Sequence, residues 1–195
     1  MSDSREKKLY IWVNEFTELA VRDFYSDFFE LEMESSLPMI TVFIDSYGGS
    51  LDGMFAMRDL IKGAAKPVST ICIGKAMSAG ACLLASGTKG LRFMSKDAEI
   101  MVHEASTGMM GKNEDLQSST RQIGKLNKKM LRNLAEDMGK TVGEVNSQIH
   151  KIKNVDWYLN ASEAKKWGIV DNIEIPRIVY TESAAMLMTV GKGNK

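Results

Sequence analysis

Cysteine, proline and histidine are scarce in this chain, and neither sign of charge is in excess. Two cysteines, three prolines and two histidines occur in 195 residues. Cys72 and Cys82 both stand in apolar stretches, which indicates neither a disulfide framework nor a metal-ligand pattern. Buried, reduced thiols acting as small hydrophobes are expected. Lys plus Arg total 25 and Asp plus Glu total 25, for a formal net charge of zero. That balance gives no electrostatic footprint for nucleic acid or an anionic membrane, and it does little to keep copies of the chain apart. No run approaches the ~20 apolar residues of a transmembrane helix, and the apolar run at residues 9–13 is too brief for a signal-peptide core. The expectation is a cytoplasmic protein with no membrane or nucleic-acid partner.

What the chain does have is core material. Hydrophobic residues make up 44%, enough for a sizeable core and too many for a disordered chain. Strand-like and helix-like text alternates from residue 9: short apolar strands at 9–13, 40–44, 68–73, 91–94 and 99–102, with helical patterns at 17–34, 51–64 and 81–86 between the first four. In the helix at 17–34, Leu19, Phe24, Phe28, Phe29 and Leu31 form the apolar stripe. This order predicts an α/β fold of βαβ units with a mostly parallel sheet. The second half is more helical. Residues 112–138 place Leu116, Ile123, Leu126, Met130, Leu134 and Met138 along one stripe, a long amphipathic helix ended by Gly139. Thr141 and Glu144 are spaced as a capping box for the next helix. One domain at residues 1–175 is expected, followed by a partly flexible extension at 176–195 with a frayed tail from 191.

Chemistry concentrates where predicted strands end. Ser78 lies between a strand and a small-residue helix, the place where open α/β sheets put their ligands. Unpaired backbone N–H groups at such a helix start can hold an oxyanion, and Ala79 and Gly80 are small enough to admit a substrate backbone. The text is not the G-x-S-x-G elbow, because Ala76 occupies the first glycine position. An ordinary N-cap serine is the competing reading. A nucleophilic serine needs a base, and His103 follows the strand at 99–102, whereas His150 falls on the polar side of a helix. A half-buried histidine with a satisfied ring is the alternative for His103. Asp156, in a loop beside Trp157 and Tyr158 that would shield it, can orient an imidazole or simply cap a turn. Gly48 and Gly49, after the second strand, form a plain loop or turn an N–H toward the crevice of Ser78. Lys75 is weighed as a base in a Ser–Lys arrangement, against a solvated charge.

These segments in this order resemble the Clp protease proteolytic subunit family, serine peptidases of the ClpP/crotonase fold. The family's serine motif is echoed by Gly74-Lys75-Ala76-Met77-Ser78-Ala79-Gly80 and Leu83-Leu84-Ala85. Gly87 to Phe93 is similar to its next turn and strand. Met101-Val102-His103 resembles its histidine motif at the family's gap of 25 residues. Asp156 to Ala164 resembles the aspartate segment, and Trp167-Gly168-Ile169-Val170-Asp171 its ending. The resemblance covers roughly residues 9–175. It implies Ser78 as nucleophile, His103 as base and Asp156 as orienter, with oxyanion donors at Gly49 and Ala79 and peptide binding beside Gly48 and Gly49.

The same resemblance implies a homo-oligomer of two stacked heptameric rings, with helix 112–138 as a protruding handle between them. Substrates would be peptides or unfolded proteins, and no metal or organic cofactor is implied. The chain begins almost at its first strand, leaving little of the family's axial-pore segment, so docking of an ATP-driven AAA+ unfoldase is set in question. Tyr47 stands where the family usually has proline, extra residues fall between His103 and Asp156, expected in the loop 106–113, and the tail is longer than usual. These departures suggest a divergent member, phage-encoded or specialised. Two other readings stand beside the endopeptidase: a latent or non-catalytic ring-forming scaffold, and a crotonase-type acyl-CoA hydratase or isomerase.

Overall fold

The computed structural model describes residues 8–106, 108, 110–151, 156–181 and 185–189; the tail from 191 lies outside them. Apolar, β-branched segments form β1 (Ile11–Val13), β2 (Ile40–Ser46), β3 (Val68–Met77), β4 (Arg92–Met94) and β5 (Glu99–Val102). Between them lie α1 (Glu18–Met33), α2 (Leu51–Gly63) and α3 (Ala79–Ala85). Each of the first two helices starts on a hydroxyl cap. Thr17 Oγ1 accepts from Ala20 N–H at 3.2 Å and Ser50 Oγ from Gly53 N–H at 3.3 Å. Then follow α4 (Asn113–Met138), α5 (Val142–His150), β6 (Trp157–Leu159), α6 (Ala161–Trp167) and β7 (Asn172–Ile173). Thr141 with Glu144, and Asn160 with Glu163, close capping boxes at the starts of α5 and α6.

The strands form a seven-stranded sheet in the order β1-β2-β3-β4-β7, with β5 pairing β3 and β6 pairing β5. All pairings are parallel except β5 with β6. The mostly parallel α/β architecture expected from the strand and helix order is therefore the one observed. Helix α1 packs on α2, α2 on α3, and α3 on β2, β3 and α4. Helix α3 is buried along its whole length, which is why it is written in alanine, glycine, cysteine and leucine. Cys72 and Cys82 are free and buried, and burial pushes both thiols up to about 12.

Three details depart from the sequence reading. Helix α1 buries Phe24, Phe28 and Leu31, an i, i+4, i+7 stripe, while Leu19 and Phe29 fall off that stripe and are more than half exposed. Strand β3 does not stop at Ile73. It continues to Met77 through an irregularity in its pairing with β2, Gly74 taking φ +81°, where a Cβ would stand 3.0 Å from Asp45 Oδ1. Beyond Pro176, β8 (Arg177–Thr181) and β9 (Ala185–Thr189) pair as an antiparallel hairpin; the β-branched text Ile178-Val179 was the available signal. The long helix behaves as expected. Met130, Leu134 and Met138 are buried, Ile123 and Leu126 are half-buried, and Leu116 is exposed, so the first half of α4 stands away from the core.

Two buried arginines tie the layers together. Arg58 meets Asp137 at 2.8 and 3.0 Å. Arg92 binds Asp171 at 2.6 and 2.8 Å and donates to the carbonyls of Ala85, Asp137 and Gly168, joining the ends of α3, α4 and α6. Burial alone would raise the Asp171 carboxyl. The hydrogen bonds and charge of Arg92, with the Gly90 and Arg92 N–H groups, outweigh it and hold the pKa below the ordinary value. A depressed carboxylate stabilises the fold above its unfolded pKa of about 3.9, and that contribution is lost as pH falls through the folded value. Asp171→Asn is expected to cost about 3 kcal/mol or more near neutral pH by stranding the Arg92 charge. It should also flatten the acid limb of stability below about pH 4, read from urea midpoints across pH.

Candidate active site

Strand register brings three side chains from distant parts of the chain to one place. Met77 pairs with Met101 across β3 and β5, and Val102 pairs with Trp157 across β5 and β6. The residues just beyond those pairs are Ser78, His103 and Asp156, so all three stand at the same edge of the sheet. Ser78 N–H donates to Met101 O at 2.7 Å, which fixes the serine turn to β5.

Ser78 occupies the N-cap of α3, yet its hydroxyl caps nothing. Its Oγ lies 2.8 Å from His103 Nε2. The backbone there has φ +55° and ψ −117°, the one positive φ outside glycine among the described residues. Such a conformation costs on the order of 1–3 kcal/mol and persists only where the surroundings enforce it. Here they are evident: β3 on one side, buried α3 on the other. His103 Nδ1 lies 3.7 Å from Asp156 Oδ1, beyond hydrogen-bond length. Asp156 is not shielded as its neighbours suggested. Trp157 turns inward onto Trp167, with ring centres 4.9 Å apart, while Tyr158 turns outward and the Asp156 side chain is 45% exposed. The alternation of a strand explains the failure, because adjacent residues face opposite sides.

Ala79 is the first residue of α3, so its N–H has no acceptor inside the helix. Gly49 bridges Phe16, and the bond to Phe16 O comes from the Ser50 N–H at 3.4 Å rather than from Gly49. Gly49 and Ser78 face the same cleft of about 240 Å³, with Leu51, His103, Ile123 and Leu126 among its walls. Gly48 lies directly on the serine turn at φ +100°. A Cβ there would stand 2.8 Å from Met77 O, 2.9 Å from Ser78 Cβ and 3.2 Å from Ala79 N. Neither the dihedral nor the space suits any side chain. Gly48→Ala is therefore expected to displace the Ser78 turn and cut kcat by about a hundredfold or more, with a lowered melting temperature; unchanged kinetics would show that the turn tolerates the shift.

Lys75 does not serve the serine. Its Nζ donates to Asp45 Oδ1 at 2.7 Å and lies 4.3 Å over the Tyr47 ring. The hydrogen bond to Asp45 raises its pKa, opposite to what a Ser–Lys base requires. His150, expected on a solvated face, shares a second depression of about 210 Å³ with His103, Glu104 and Asp156, its Nε2 3.5 Å from Glu104 Oε1. Sequence reasoning passed over Asn127, whose side chain bonds the residues that follow His103. No periodicity marks such a residue.

Among the described residues no helix is long and apolar enough to cross a membrane. The family model described as Clp protease matches residues 5–177. That span runs from ahead of β1 to the first residue of β8, and takes in the whole seven-stranded sheet and the six helices of the described chain. Members of this family are peptidases that generally assemble into oligomeric rings. With that span covered by one family model, the chain belongs to the Clp protease family.

Proposed function

We propose that this chain is a serine endopeptidase acting through Ser78, His103 and Asp156 inside a ring-shaped homo-oligomer. The observation that carries the reading is the 2.8 Å contact between Ser78 Oγ and His103 Nε2 at a strained turn facing a cleft. Ser78 Oγ bonds to the substrate carbonyl carbon while His103 Nε2 takes the hydroxyl proton. The carbonyl electron pair moves onto oxygen, where the Ala79 and Gly49 N–H groups are the donors. Collapse of this intermediate breaks the C–N bond, and the imidazolium gives its proton to the leaving amine. Water, deprotonated by His103, then hydrolyses the ester and frees Ser78. Asp156 holds the Nδ1 proton once its 3.7 Å separation closes; catalytic hydrogen bonds that are long in a free enzyme commonly tighten with substrate bound.

The substrate lies extended, as an added strand beside Gly48 and Gly49. Two stacked heptamers give the exposed first half of α4 a partner and enclose the cleft in a chamber. Short peptides need no unfolding, so their hydrolysis requires no AAA+ unfoldase. The purified full chain should release fluorophore from a fluorogenic peptide, with a burst from the acyl-enzyme, and should sediment at the mass of two stacked heptamers. The 3.7 Å gap favours one other reading, a latent ring-forming scaffold, which an intact ring without any turnover would establish. Stabilisation by coenzyme A together with no peptide hydrolysis would point instead to the acyl-CoA reading.

A further inference from the structure

We propose that Asn127, on α4, is a positioning residue for His103, gripping the chain directly after it; this rests on the reading of His103 as the base. Before His103, the backbone is fixed by the pairing of β5 with β3 and β6 and by the bond from Ser78 N–H to Met101 O. Strand pairing ends at Val102, and residues 103–106 belong to no helix or strand. There the Asn127 amide takes over. Its Oδ1 accepts from Ala105 N–H at 3.0 Å, and its Nδ2 donates to Glu104 Oε1 at 3.0 Å. Glu104 Oε1 in turn lies 3.5 Å from His150 Nε2 on α5. One planar amide thus holds both residues that follow the histidine and attaches them to the long helix.

The grip matters because, among the described residues, the imidazole has little else to orient it. Asp156 Oδ1 is 3.7 Å away, which leaves the 2.8 Å contact with Ser78 Oγ as the short bond of the ring. The ring direction therefore follows its backbone, and a displacement on the order of 1 Å between reacting groups can cost about a hundredfold in rate. Asparagine suits the task by carrying an acceptor and a donor on one rigid head. Leucine has neither, and aspartate would lose the donor and set a second carboxylate against Glu104.

The test uses the full chain, a fluorogenic peptide and labelling of Ser78 by a fluorophosphonate. Asn127→Leu is expected to lower kcat and the labelling rate by about tenfold to a hundredfold with KM unchanged. Asn127→Asp should do the same. Adding Glu104→Gln to Asn127→Asp should restore most of the rate, because the new amide donates to the new carboxylate, which still accepts from Ala105. Wild-type rates in Asn127→Leu, or a double variant no faster than Asn127→Asp, would overturn the proposal, as would a swap that restores melting temperature without restoring kcat. Should the folded wild type fail to label at Ser78, the peptidase reading falls, and the ring resonances of His103 decide the positioning role separately. Their shift in Asn127→Leu and return in the swapped pair uphold it; identical resonances in all variants overturn it.

Discussion

Ser78→Ala is expected to reduce peptide turnover by on the order of a million-fold, since members of a Ser-His-Asp set act as a unit and loss of the nucleophile removes the covalent path altogether. The substitution should leave the fold intact. Ser78 caps no backbone group through its hydroxyl, and that hydroxyl touches His103, which is itself part-exposed. A companion variant separates chemistry from strain. Ser78→Gly removes the same nucleophile but accepts φ +55° without the penalty a Cβ brings, a difference of about 1–3 kcal/mol. Both variants should be equally inactive, with Ser78→Gly the more resistant to urea. Equal stability would mean that the turn is not strained. Retained turnover in Ser78→Ala would remove Ser78 from the mechanism.

The second large effect is expected at Asp156. Asp156→Asn should cost about ten-thousandfold in kcat near neutral pH, the magnitude found where an orienting carboxylate is replaced and the imidazole takes the wrong tautomer. The free-enzyme geometry makes this a demanding prediction. A carboxylate 3.7 Å from Nδ1 and 45% exposed contributes little where it stands. A loss of that size therefore requires closure to hydrogen-bond length on substrate binding. A loss below about tenfold would show that Asp156 stays apart and that His103 is oriented from its backbone alone. The KM of this variant should change little, because in the proposed mechanism Asp156 acts on His103 and not on the peptide.

Much of this site was legible from residues because parallel strands deliver side chains at their ends. A serine after the third strand and a histidine after the fifth must come close if those strands pair, and the pairing of Met77 with Met101 is what brings them together. Asp156 was singled out as the orienting carboxylate only through the family resemblance; it stands one residue before β6, which pairs β5 antiparallel. The exposure of Asp156 was not legible, since Trp157 and Tyr158 read alike as apolar neighbours until the pleat sends one inward and one outward. Gly74 read as the end of a strand because glycine after an apolar run usually marks a turn; here it sits in an irregular stretch that carries β3 on to Ser78. Asn127 was invisible for another reason. Its partners are Glu104 and Ala105, and contacts across 22 or 23 residues between a coil and a helix leave no periodic trace. Leu19 and Phe29 show the limit of stripe counting, since a residue one position off the buried row points to solvent.

In the proposed mechanism, Ser78 is an activated nucleophile because His103 accepts its proton. Treating the purified full chain with a fluorophosphonate and mapping the adduct by mass spectrometry tests it most directly, beside His103→Ala. A single adduct on Ser78 is expected in the wild type and none in the His103→Ala variant of equal melting temperature. An intact oligomer that forms no adduct, or an adduct on Ser78 that survives the loss of His103, would contradict it.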